Sequence, residues 1–274
     1  MAPRAKSTPP LSEWAAIDEG WLEQLGTDEP VAGVPGPGRW LVARYRPTAL
    51  FSLKASTATS SVGKTLVVPT PYAVKMALVD AAFRSGQPEE TVAELVLALR
   101  TTPVRIAPPG RAVVTHTFVK VRQEPKRPDP LRPYLASIAY REFVYHEGEW
   151  RWAFDLAAAG VAAAAWLVCL LPRVNYIGKR GSFVQFVGLE RVADLTAAYT
   201  VPMPPPATWR LPARWHVAVL DDFGPDADLA ALSSYSPGKI VRDKHRKFVQ
   251  TLVPLGLAST GPNFSEYEGQ WGQR

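Results

Sequence analysis

Two alternating runs, Ala112–Arg122 and Tyr134–His146, flank QEPKRPDPLRP, a block at 123–133 that holds four prolines and five charges. No other feature constrains the chain as strongly. Proline removes a ladder donor and fixes φ, so the block cannot be regular structure. β-Branched and aromatic residues at every second position on both sides read as strands. The expected result is a long hairpin with a basic, proline-stiffened tip. On its first strand one face carries Val113, Thr115, Thr117, Val119 and Val121, and the other carries Val114, His116, Phe118, Lys120 and Arg122. The second face can stack bases and hold phosphates; it can equally be an edge with solvated charges. Arg122, Lys126, Arg127 and Arg132 place cations at the tip, which can be a basic prong along a nucleic-acid path, as long ordered loops are usually functional, or equally a solvated, flexible spacer.

The other elements follow in order. A strand is expected at Trp40–Arg46, a hydroxyl-rich loop at 52–64, a helix from Pro71 to Arg84 and a second helix at Glu89–Arg100. Beyond the hairpin come a short strand at Trp150–Phe154, an alanine-rich helix at 156–171, a strand at Ser182–Leu189 and a last strand at Trp215–Phe223. Proline-rich VPMPPPATWRLP at 201–212 crosses to that last strand. Strand, helix, strands, helix, strand is the order of an α+β, ferredoxin-like (RRM-type) βαββαβ domain, here with the middle hairpin extended into a thumb at about 112–146 and extra C-terminal elements. RNA-recognition domains use that fold. The expected organisation is an N-terminal appendage and linker (1–38) around a short acidic helix at Ser12–Leu25, the main domain (39–223), and a basic C-terminal extension (224–274) that carries KIVRDKHRK and ends in an irregular polar, Gly/aromatic stretch.

Charge sorts unevenly. The net +6 divides into −4 over residues 1–29 and +10 over the rest. Between Pro30 and Val79 there is no acid, only Arg39, Arg44, Arg46, Lys54, Lys64 and Lys75. Such a field attracts nucleic acid or anionic lipid. The uncharged run Leu156–Leu171 is sixteen residues long, short of the roughly 20 that a bilayer span needs, and reads as a buried helix with no membrane role. Cys169 stands alone in that run, which excludes a disulfide framework and a thiolate metal site and suits a reducing cytoplasm. The N-terminus lacks the apolar core of a signal peptide.

Two backbone corners are suited to anions. Thr70 can N-cap a helix that has Pro71 at its first position, which leaves amides pointing at an anion. Gly178 and Gly181 bracket Lys179 and Arg180 in a turn that leads into a strand. By contrast, SSVGKT only imitates a nucleotide-binding loop, because a helix must start at its lysine and LVVPTP follows instead. None of His116, His146, His216 and His245 has a metal-ligand spacing, and no metal or cofactor is expected. His245, amid Lys244, Arg246 and Lys247, or His116 could act as a base in metal-independent RNA cleavage; for each, a structural histidine is the simpler reading.

At these stretches the chain resembles the CRISPR-associated protein family five. The likeness is carried by the strand Trp40–Arg46, by VPTPYAVKMALVDAAF and by IGKRGSFVQF after an Ala-rich helix, and it extends over residues 38–223. It implies a ferredoxin-like subunit that caps one end of a type I Cascade complex, holds the 5′ handle of the guide RNA and sets its hairpin against a neighbouring backbone subunit. In one subtype the same subunit cleaves the precursor RNA; otherwise no catalytic residue is implied. The partners implied are guide RNA and the backbone and large Cascade subunits, with contact to target DNA left open. Lys54, Lys64, Tyr72, Lys75, Tyr176, Lys179, Arg180 and Ser182 carry over as handle contacts. Arg44, Lys120, Arg122, Lys126 and Arg127 join the RNA-binding set by charge and position.

Overall fold

A computed structural model describes residues 39–269 except 57, 59–61, 124, 126, 128, 129, 132, 206–214 and 234–237. The acidic helix expected at 12–25, the linker at 31–38, Lys126, Arg132 and most of the proline-rich crossing lie outside the described residues. The fold is mixed α/β with antiparallel sheets. Its central sheet has the order β3-β6-β1-β7, built from β1 (Trp40–Pro47), β3 (Val104–Ala107), β6 (Trp150–Asp155) and β7 (Val184–Val192). Every neighbouring pair in it is antiparallel. Helices α1 (Pro71–Arg84) and α2 (Glu89–Arg100) connect β1 to β3, and α3 (Leu156–Leu170) connects β6 to β7.

Local chemistry explains each element. Thr70 Oγ1 accepts from the Ala73 amide at 3.1 Å and Pro71 follows at the first helical position, so α1 starts where its sequence has a cap. In α2, Val92, Leu95, Val96 and Leu99 recur at helical spacing and are buried, while Glu89 and Glu90 sit in the first turn against the positive end of the dipole. Each such buried side chain contributes about 1.5–3 kcal/mol relative to exposure. Asp155 ends β6 and caps α3, accepting from the Ala157 amide at 3.1 Å and from Arg39 Nε at 2.9 Å. The Arg39 hydrogen bond holds the Asp155 carboxyl below the usual carboxylate range. The core centres on Tyr45, whose ring stacks on Trp152 at 4.0 Å and whose hydroxyl donates to the Leu171 carbonyl at 2.6 Å.

The hairpin is not the middle pair of the central sheet. β4 (Arg111–Gln123) and β5 (Leu135–Glu147) leave it between β3 and β6 and belong to a second sheet, β11-β12-β4-β5-β2, with β2 at Val62–Gly63, β11 at Gly256–Gly261 and β12 at Phe264–Glu268. The central places go to VRIA and WRWAFD, whose buried Val104, Ile106, Trp150, Trp152 and Phe154 suit a sheet covered by helices. The hairpin's alternating Thr, Lys and Arg suit an arm open to solvent. The strand at 104–107 escaped the sequence reading because four residues with a central arginine show no period. The irregular tail is also corrected: 256–268 forms a hairpin whose second strand pairs with β4 from Arg111 to Thr115. A third sheet, β8-β10-β9, joins Val201–Pro202, Arg246–Val253 and His216–Phe223. A four-residue helix, α4, spans Leu229–Leu232. Among the described residues no helix is long and apolar enough to cross a membrane.

Candidate nucleic-acid interface

Four of the expected cations meet where the loop after β1, the turn before β7 and the root of the hairpin come together. Ser52 joins all three: its amide donates to Ser182 Oγ at 3.2 Å and its hydroxyl donates to the Glu142 carbonyl at 3.0 Å. Leu53 and Lys54 run antiparallel to Lys64–Leu66, with Ala55 N on the Lys64 carbonyl at 3.0 Å and Leu66 N on the Leu53 carbonyl at 2.8 Å. The turn is closed by the Ser182 amide on the Lys179 carbonyl at 3.1 Å. Gly178 sits at φ +68°, which favours glycine, and a Cβ there would also press on Leu53 Cδ1 at 3.0 Å. Lys54, Lys64, Lys179 and Arg180 are exposed on this assembly. Among the described residues, no ion pair involves these four. Tyr176 lies beside them, within hydrogen-bond reach of Asp80 and Arg180, its pKa raised chiefly by burial. Ser182 is buried and acts as an acceptor that fixes the turn.

The hairpin root adds residues that the sequence did not single out. Thr65 N donates to Glu142 Oε2 at 2.8 Å, Tyr140 OH to Glu142 Oε1 at 3.4 Å, and His116 Nε2 lies 3.9 Å from the same Oε1. Farther out, Phe118 faces Tyr140 edge-on at 5.6 Å and is 73% exposed; Lys120 and Arg122 are exposed on the same alternation, as is Arg127 beyond it. Cross-strand register, which aligns Phe118 with Tyr140 and His116 with Glu142, is the signal that would have found Tyr140 and Glu142. The other histidines hold backbone: His146 and His216 bond the carbonyls of Val67 and Leu255, and His245 Nδ1 accepts from the Val241 amide at 3.1 Å. Burial drops the His146 pKa to about 4, so it stays neutral.

Three expected contacts lie elsewhere. Arg44, on β1, is 3.8 Å from Glu149. Tyr72 packs edge-on against Phe223 at 5.5 Å beneath the Arg246 guanidinium, 4.3 Å from its ring centre. Lys75 is fully buried, with Nζ 2.7 Å from Asp222 Oδ1, so its ammonium is not offered to a ligand. The two anion corners therefore do not converge. The start of α1 faces β9 and β10, whereas the glycine turn lies beside Asp80, about 13 Å further along the helix axis.

A mixed α/β chain with exposed cations gathered at the root of a long hairpin is what the fold and site define. The chain is similar to the CRISPR-associated protein Cas5 of Archaeoglobus fulgidus, 23% identical over 107 residues, which are 39% of this chain and 47% of that protein. The match thus spans about half the length of the curated relative. The resemblance to the CRISPR-associated family five is shown by that relative. No protein-family model matches the chain. A crystal structure of a CRISPR protein from Archaeoglobus fulgidus overlays with a TM-score of 0.43 at 14% identity, covering 84% of this chain and 91% of that one. A chain of a CRISPR RNA-guided surveillance complex overlays with a TM-score of 0.43 at 14% identity, covering 78% and 89%. Overlays this loose carry no argument about the site.

Proposed function

We propose that this chain is a non-catalytic, RNA-binding subunit of a type I CRISPR Cascade effector complex in the cytoplasm, capping the 5′ handle of the guide RNA and touching backbone and large subunits. The observation that carries this reading is the group of exposed cations Lys54, Lys64, Lys179 and Arg180, free of ion pairs among the described residues, on backbone fixed by Ser52, Ser182 and Gly178. Exposed cations held close together by fixed backbone are what phosphate binding requires, and the nearby carboxylates Glu142 and Asp80 are engaged by Thr65 N and by Tyr176. The exposed face of Phe118, Lys120 and Arg122 extends the same chemistry along the hairpin, in a form fitted to unstacked bases. The strand order β3-β6-β1-β7, with its helical crossovers, supports reading the central sheet as a ferredoxin-like βαββαβ unit that carries the hairpin as an insertion. Similarity to the Cas5 protein of Archaeoglobus fulgidus supports the CRISPR setting.

The test is binding of CRISPR repeat RNA to the purified chain over a salt series. Four phosphate contacts give a log–log slope near −3, at about 0.7 for each single-strand contact. A slope near zero, or binding no tighter than to a scrambled strand of equal length, defeats the reading.

One observation favours catalysis as a second reading. His116 Nε2 lies 3.9 Å from the Glu142 carboxylate, beyond hydrogen-bond distance, and a small approach of the two would let the carboxylate orient the imidazole as a base. In a metal-free incubation with repeat RNA, this reading expects a discrete cut that His116→Ala slows by about 10²–10⁴. Intact RNA after incubation with the wild-type chain rejects it.

A further inference from the structure

At the other end of α1 lies a cavity of about 290 Å³ between that helix, the end of α2, β3 and the β9–β10 pair. Arg100, Arg105 and Lys247 line it, and so does one carboxylate, Asp222. That carboxylate is already neutralised from the interior, since Lys75 Nζ lies 2.7 Å from its Oδ1. Lys247 is the cross-strand partner of Asp222, with its ammonium 3.8 Å from Oδ2. Once the buried Lys75 is counted, the walls hold a cationic excess of three. Arg105 is half-buried, and its guanidinium donates to the neighbouring Val104 carbonyl at 3.3 Å. Burial pulls its pKa down, against the weak pull of Asp222 and Asp155. A guanidinium withdrawn from water without a close counter-ion is costly unless an anion joins it. Thr200 Oγ1 accepts from the Ile106 amide at 3.0 Å, which leaves its hydroxyl proton free to donate into the cavity.

From this geometry we infer that the cavity is an anion site separate from the Lys54–Arg180 group, and that it takes the phosphate of a nucleotide-sized ligand. Two guanidiniums and an ammonium favour a phosphomonoester over a carboxylate, because the phosphate offers more acceptor oxygens and more charge. The volume exceeds what bare phosphate needs and sits near the lower bound of small-molecule sites, roughly 300 Å³. The same group can arrive on a free nucleotide or at the 5′ end of an RNA strand.

Calorimetric titration of the whole chain with adenosine 5′-monophosphate, inorganic phosphate and adenosine tests this. The monophosphate is expected to bind at least tenfold more tightly than adenosine. Lys247→Gln and Arg105→Gln each weaken it by about tenfold or more, while Lys179→Ala/Arg180→Ala leaves it unchanged. Lys247 is only half-buried, so its variant keeps the test valid should Arg105→Gln fail to fold. Competition by a 5′-phosphorylated oligoribonucleotide, and not by its 5′-hydroxyl counterpart, identifies a strand end as the source; no competition from either identifies a free nucleotide. Equal affinity for adenosine and its monophosphate overturns the inference, as does wild-type affinity in a folded Lys247→Gln chain. Failure of the guide-RNA reading is seen separately, in the repeat-RNA titration.

Discussion

Lys75→Met is expected to destabilise the protein by about 3 kcal/mol, the lower part of the range for removing one partner of a buried ion pair. Lys75 is fully buried on α1, and Asp222 on β9 is 14% exposed by side chain, so removing the ammonium strands a carboxylate at a packed seam. The seam is what holds the C-terminal sheet on α1. In it Arg246 bonds Asp221 at 2.5 Å and covers the Tyr72 ring, and Tyr72 meets Phe223. Lys247, 3.8 Å from Asp222, offsets part of the loss, which places the figure at the low end. For a chain of this size about 3 kcal/mol corresponds to a Tm lower by roughly 6–12 °C. Lys75→Met with Asp222→Leu should recover most of it, because an apolar pair of similar volume avoids the desolvation cost of two charges. Thermal unfolding of the two singles and the double measures the coupling. A single-variant loss below about 1 kcal/mol would show that the seam is held by its rings rather than by the pair.

Lys75 also marks where the sequence could and could not be read. Its neighbours were legible: a Thr–Pro start specifies a helix terminus by local chemistry, and α1 begins at Pro71 as expected. The fate of its own ammonium depends on Asp222, 147 residues away, and no local pattern encodes that pairing. The same division runs through the fold. Strands β4 and β5 and helix α2 were visible because each has its own period, and α3 from its uncharged alanine-rich run, whereas α4 and β3 are too short to have one, and β3 takes its place by pairing with β6 from Val104 to Ala107. The Gly178–Gly181 turn was legible because glycine is needed where φ is positive, at +68° and +100°. That Lys54 and Lys64 would lie next to it was not, since the bridge between them is Ser52 reaching Ser182 across 130 residues. Cationic residue types could be listed from composition; which of them remain unpaired is a property of the packed chain.

Lys179→Ala/Arg180→Ala should reduce affinity for repeat RNA by about tenfold per lost contact and leave the Tm within about 1 °C of wild type. Both side chains are exposed, and the turn that carries them is held by the Ser182 amide, by Gly178 over Leu53 and by the Ser52–Ser182 bond, none of which uses the two cations. A charge-assisted hydrogen bond to phosphate contributes about 1.5–3 kcal/mol, and 1.4 kcal/mol is a factor of ten in Kd. The salt dependence gives an independent check: removing two single-strand phosphate contacts flattens the log–log slope by about 1.4. An affinity loss without that flattening would mean that the turn orders RNA by shape and not by charge. Unchanged affinity in a folded double variant would remove the glycine turn from the interface and leave Lys54, Lys64 and the hairpin face to bind RNA without it. Lys54→Ala/Lys64→Ala separates that case, because cations on a rigidly joined pair of loops should each flatten the slope by the same increment when they contact the same strand.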